Sequence, residues 1–184
     1  MNAMNAQSTV TMLVNNSTLA SGVAYGTASG YQSASSGSVP VAIQSAGTTL
    51  LNQTVTISGG QNHTILATDS GLTVLTDNKT TPSSGNFQIR TINASSSISP
   101  ADVYIVPASN PDISTVSPAA TLNFQAASGY QTLAAGSYQI IFTEAGQKIP
   151  LVNSGSLSFS AGQIRTVVSL DFGTYSTAVL SDLN

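Results

Sequence analysis

The chain repeats itself. Residues 28–32 read A-S-G-Y-Q, and residues 127–131 read the same five letters 99 positions later. Over residues 28–47 and 127–146 that register gives 9 identities in 20, among them Gly37 with Gly136 and Ala46-Gly47 with Ala145-Gly146. After a three-residue insertion, T-V-T-I-S-G-G-Q (54–61) matches S-L-S-F-S-A-G-Q (156–163). Both stretches then close on a short run ending in Asp, L-T-D (75–77) and L-S-D (180–182). Matches in this order are the mark of a duplicated unit, so a fold proposed for one copy must also suit the other.

Within each copy the apolar residues alternate. Val39, Val41 and Ile43 are separated by Pro40 and Ala42, and Val55 and Ile57 by Thr56. Tyr138, Ile140 and Phe142 repeat the pattern, as do Leu157 and Phe159 among serines. Period two over five to seven residues, bounded by Gly, Asn and Ser, predicts half-buried antiparallel strands. No ten-residue stretch has a convincing helical period, and strong helix formers are scarce. The predicted class is all-β.

Composition narrows the functions open to such a chain. Ser and Thr number 51 of 184 residues, while only 11 residues are charged, for a net charge of -3. Mean hydropathy is +0.17, so the chain is not of the charged, weakly apolar kind that stays disordered. Four Lys and Arg cannot build a phosphate-binding patch, which argues against nucleic acid as a partner. The absence of Cys removes disulfides, zinc-thiolate sites and a thiol nucleophile. Apolar runs such as residues 103–106 are far short of the ~20 needed to span a bilayer as a helix. Met1 is followed by polar residues rather than a basic and then apolar leader, so if the protein is exported its targeting segment is not in this chain.

The repeat also predicts the domain layout: a first β-sandwich over residues 1–80, a linker at 81–85 and a second sandwich over 86–184. N-A-M-N-A-Q-S-T-V-T-M (2–12) aligns without gaps with N-A-S-S-S-I-S-P-A-D-V (93–103), and the second copy alone carries an insertion over 107–118. The second Asn-Ala pair is preceded by N-F-Q-I-R-T-I (86–92), which reads as a strand. Nothing in the chain matches it ahead of Asn2, so the first domain is expected to lack its N-terminal strand. Three sources stay open for that strand: a stretch cut off ahead of Met1, another segment in its place, or a neighbouring chain through strand addition, and an open edge poor in charged gatekeepers would favour a homodimer.

The segments N-A-S…D-V-Y, F-Q-A-A-S-G-Y-Q-T-L-A-A-G-S-Y-Q-I (124–140) and S-L-S-F-S-A-G-Q-I-R-T-V-V-S-L-D (156–171) resemble a bacterial family known as domain of unknown function 4397. The resemblance covers the second copy completely and the first without its initial strand. Thr11 stands where the second copy has Asp102, and Ser38-Val39 where it has Ser137-Tyr138. The resemblance implies tandem immunoglobulin- or transthyretin-like sandwiches and an extracytoplasmic, secreted or envelope-anchored location. It brings no activity and no functional residues.

Candidate chemistry is sparse. His63, the one histidine, would need Asp69 or Asp77 to orient it as a base. It aligns with Arg165, and a polar residue on the outer face of a strand is the better account. Asp77 and Asp182 occupy matched strand ends, where Asx residues organise turns through the backbone. Asp102 and Asp112 lack the spacing of a calcium loop, and no metal or cofactor is expected. Arg90, Arg165, Asp102 and Asp171 are expected to supply one structural ion pair within the second copy. Six Asn-x-Ser/Thr triplets begin at Asn15, Asn16, Asn52, Asn62, Asn78 and Asn93, a number that this much Ser and Thr makes unremarkable as glycosylation evidence.

The aromatics are the remaining candidates. Tyr25, Tyr31, Tyr104 and Tyr130 are the residues that would contact a ligand if exposed as stacking platforms. For the matched pair Tyr31 and Tyr130 the competing account is a buried ring whose hydroxyl reaches the backbone. Tyr25, Tyr104 and Tyr175 are expected to be the more exposed. The expectation is therefore a non-enzymatic, extracytoplasmic structural or adhesive envelope module, with carbohydrate binding as the alternative. Its expected partners are other envelope proteins or a surface polysaccharide.

Overall fold

The computed structural model of the protein describes residues 1–171 and 174–183. They form fifteen β-strands and, among the described residues, no helix. The chain divides into unit 1, Met1–Asp77, and unit 2, Asn78–Asn184.

Unit 1 contains β1 (Thr9–Val14), β2 (Ser17–Ala24), β3 (Gly37–Ser45), β4 (Thr48–Ile57), β5 (Asn62–Thr68) and β6 (Gly71–Asp77). The first four make an antiparallel sheet in the order β2-β1-β3-β4, while β5 and β6 form a separate hairpin. Alternation decides which side chains go inside: Val10, Met12 and Val14 of β1 and Val39, Val41 and Ile43 of β3 are buried, and they share one core with Met4 and Ala67. Two-residue turns join the paired strands. Asn15 and Asn16 have φ of 50° and 61°, and Ala46 and Gly47 have 48° and 80°, as a twist-matched tight hairpin requires. The repeated Ala-Gly is therefore turn chemistry in unit 1.

Unit 2 contains β7 (Asn86–Asn93), β8 (Ala101–Pro107), β9 (Ala120–Leu122), β10 (Gln131–Ala134), β11 (Gly136–Glu144), β12 (Val152–Asn153), β13 (Leu157–Phe159), β14 (Ile164–Leu170) and β15 (Ser176–Leu183). One sheet runs β10-β7-β14-β15, with β7 and β14 parallel. The other runs β12-β11-β8-β9, and β13 also pairs with β11. Phe87, Ile89 and Val167 of the first sheet meet Val103, Ile140, Phe142 and Phe159 of the second in one core, giving a sandwich-like packing. Phe87 stacks on Phe159 with ring centroids 4.5 Å apart.

The insertion forms the loop between β8 and β9 and lies over the face of β8 and β11 that points away from this core. Ile113, with Val116 beside it, packs there on Tyr104, Val106 and Ile141. It gives unit 2 a small second apolar cluster.

Candidate functional site

Two matched asparagines tie each unit together. Asn2 and Asn93 are fully buried. The Asn93 amide donates to the carbonyls of Ile98 at 2.6 Å and Leu122 at 3.2 Å, and its Oδ1 accepts from the Ser95 N–H and the Ser169 hydroxyl. Asn2 donates to Gln7 and Val23 carbonyls, both at 3.1 Å, and accepts from the Met4 N–H. These are the same partners by position, except that Ala67 stands where Ser169 supplies its hydroxyl. One side chain thus joins the end of one strand, the following loop and a strand of the facing sheet. Full burial of Asn93 also leaves its Asn-Ala-Ser triplet closed to glycosylation in the folded state.

A second matched arrangement centres on the strand-end carboxylates. Asp182 Oδ2 accepts from the Tyr130 hydroxyl at 2.6 Å and the Thr166 hydroxyl at 2.6 Å. Arg90 completes the group: Nη2 is 3.7 Å from Asp182, Nε donates to Thr166, and the guanidinium lies 4.8 Å from the Tyr130 ring centre. Burial, then the bond to Asp182, pushes the Tyr130 phenol well above its ordinary range. In unit 1 Asp77 Oδ2 accepts from Tyr31 at 2.7 Å and Thr64 at 2.7 Å. Asp77 and Asp182 are themselves buried, so they anchor hydroxyls inside the unit rather than organise surface turns. The tyrosine hydroxyls likewise reach a carboxylate where a backbone acceptor was expected.

The ion-pair expectation needs correction as well. The carboxylate facing Arg90 is Asp182, while Arg165 donates to Ser181. Asp102 is held by Thr121 and the Gly146 N–H. Asp171 and Asp69 are a third matched pair: Asp171 accepts from Ser95, Ser96 and the Ser97 N–H, and Asp69 from the Asn5 N–H. Each closes the loop that follows the buried asparagine. The repeat offset that relates 54–61 to 156–163 also relates these two, which is the signal that would have found them.

Of the four candidate tyrosines, Tyr31 alone is exposed. Tyr104 is only 1% exposed, correcting the expectation of an exposed ring. Insertion residues Ile113 and Val116 cover it, and Lys148 Nζ, donating to the Val116 carbonyl, stands 4.4 Å from the ring centre. Tyr25 is half-buried, its hydroxyl donating to Asn5 Oδ1 at 3.1 Å. Tyr130 is half-buried too, whereas Tyr31 and Tyr175 are 47% and 43% exposed. His63 is half-buried, with Nε2 3.0 Å from the Ser58 carbonyl oxygen and Nδ1 3.4 Å from the Thr76 hydroxyl.

The feature that most distinguishes the units is a strand position. In unit 2, β7 lies between β14 and β10, parallel to the first and antiparallel to the second. The counterpart of β14 in unit 1 is β5, and among the described residues β5 pairs with β6 alone, apart from one parallel bridge between Asn2 and Ala67. That bridge matches the pairing of Asn93 with Ser169. The Met1 amino group donates to the Ile65 carbonyl at 2.8 Å, so Met1 and Asn2 occupy only the last two places of the β7 position. Residues 32–35, the counterpart of β10, are exposed and belong to no strand.

Fold and site together define an all-β, sandwich-like protein whose buried polar groups hold its own strands. The model of the family described as domain of unknown function (DUF4397) matches residues 1–104, and the chain belongs to that family. The match runs through unit 1 and on through β7 into β8. Comparison with curated proteins finds no match. Among the described residues no helix is long and apolar enough to cross a membrane.

Proposed function

We propose that the protein is a non-enzymatic structural or adhesive module that works outside the cytoplasm, built from two tandem immunoglobulin- or transthyretin-like sandwiches of the same family. The observation that carries this reading is where the polar chemistry goes. Asp77, Asp102, Asp182, Arg90, Asn2 and Asn93 are all buried and engaged in cross-strand bonds. What faces solvent is largely hydroxyl and amide, a surface suited to contact with other envelope proteins or polysaccharide.

The test is made on intact cells that produce the protein. Surface labelling should reach it, and cells lacking it should attach or aggregate less than the parent strain. Protein that is labelled only after lysis, or unchanged attachment without it, overturns the reading. Carbohydrate binding is the second reading, favoured by the exposure of Tyr31. It expects a Tyr31→Ala variant to lose retention on a polysaccharide column.

A further inference from the structure

We propose that unit 2 carries a sugar-binding site in the pocket between the end of β11 and the loop ahead of β8, and that it takes a single pyranose ring of a polysaccharide. Glu144 accepts from the sugar's hydroxyls, and Ser97 and Ser99 donate to its oxygens. The inference rests on the polysaccharide contact proposed above and names where in unit 2 that contact is made.

The pocket has a volume of about 240 Å³ and is lined by Ser97, Ser99, Pro100, Glu144 and Ala145. Its walls are fixed by other bonds. Asp171 accepts from the Ser97 N–H at 3.2 Å, the Ala145 N–H donates to the Pro100 carbonyl at 3.0 Å, and Ser99 Oγ accepts from the Phe124 N–H at 2.9 Å. The Ser97 hydroxyl, the Ser99 O–H and the Glu144 carboxylate remain for a ligand. Glu144 is the one glutamate of the chain, and its side chain is exposed. Asp69, Asp77, Asp102, Asp112, Asp171 and Asp182 all accept hydrogen bonds from the protein. Among the described residues, Glu144 is the side-chain carboxylate with no protein partner.

The duplication shows that the fold does not need these groups. Unit 1 keeps the buried asparagine, Asp69 in the place of Asp171 and the Ala-Gly pair after the strand. It has Ala6 where unit 2 has Ser97, and Ser45 where unit 2 has Glu144. The Ser45 hydroxyl donates to the carbonyl of Thr9, the counterpart of Pro100. The free carboxylate and its neighbouring hydroxyl belong to unit 2 alone.

The lining selects the ligand. A carboxylate only accepts and a serine hydroxyl can donate, so the complementary molecule presents both O–H donors and oxygen acceptors. Pro100 and Ala145 add apolar lining for C–H groups. A calcium ion wants about six to eight oxygens, more than one carboxylate and two hydroxyls provide. An ammonium group would satisfy Glu144 and offer nothing to the serine donors. The volume lies below the ~300 Å³ at which pockets for drug-sized ligands begin, which limits the occupant to one ring.

The test is an amide NMR titration of the intact 184-residue protein with methyl glucoside, methyl galactoside, methyl mannoside and N-acetylglucosamine, each to about 50 mM. At least one sugar should shift the amides of Ser97, Ala101, Glu144 and Ala145 saturably, and leave Ala6, Val10, Ser45 and Ala46 of unit 1 unmoved. Glu144→Gln keeps the shape and should weaken that binding at least about fivefold, with the melting temperature unchanged because the side chain is exposed. Ser97→Ala should weaken it as well. Failure of every sugar to move these amides overturns the proposal, and so does equal binding by Glu144→Gln. The same shifts produced by calcium chloride or methylammonium chloride, and by no sugar, would assign the pocket to a cation instead. Sugar binding without an effect on cell attachment keeps the site and removes the adhesive role, and the reverse result removes the site alone.

Discussion

A buried amide side chain is useful only if nearly all its bonding capacity is met, and Asn93 meets that condition with two donors and two accepted bonds. Replacing it should cost more than the loss of a single bond, because the Ile98 and Leu122 carbonyls would be left without this donor in a dry interior. Asn93→Ala is expected to destabilise unit 2 by about 2–4 kcal/mol in urea denaturation. Asn93→Asp, nearly the same shape, should be at least as damaging, since an ionised carboxylate cannot donate to either carbonyl. A loss below about 0.5 kcal/mol for both would remove the structural role assigned to this residue. The pair Asn2 and Asn93 stood out in the sequence as the front of each copy. Its purpose did not, because its partners are backbone carbonyls brought close only by tertiary packing.

At the scale of strands, the short stub formed by Met1 and Asn2 carries its own pH signature. Burial lowers the Met1 amine from 8.0 to about 6, with the nearby Asp77 charge opposing the shift. Between these values the unfolded chain binds more protons than the folded one, so stability rises with pH across that window. In the 184-residue chain unit 1 should gain about 2 kcal/mol between pH 6 and pH 8, read from urea melts followed by β1–β4 amide resonances. A flat profile would mean the amine is not enclosed as described. Strand identity was largely legible: the alternation at Val39–Ile43 became β3, Thr54–Ile57 the end of β4, and 86–92 most of β7. Residues 32–35 show why legibility stops at neighbours. Their counterpart β10 is a strand because β7 lies beside it, and in unit 1 that neighbour is reduced to a stub. The cover over Tyr104 was equally hidden, since nothing local to β8 says that a loop ten residues on will fold back across it.

Two units with separate cores need not share one unfolding transition. Residues 78–184 produced alone should fold, and should melt within a few degrees of the higher of two calorimetric transitions of the whole chain. Unit 1 should account for the lower transition, because its buried core is aliphatic throughout, whereas that of unit 2 contains Phe87, Phe142 and Phe159. A single cooperative transition, or an unfolded 78–184 fragment, would contradict the division.

Four of the eleven charged residues, Asp77, Arg90, Asp102 and Asp182, are withdrawn into the interior. The seven others carry three positive and four negative charges, and all eleven together sum to only -3, so the protein presents a weak net field to its surroundings. A partner is then found by ordinary diffusion without long-range steering, and its association rate should barely change between dilute buffer and seawater.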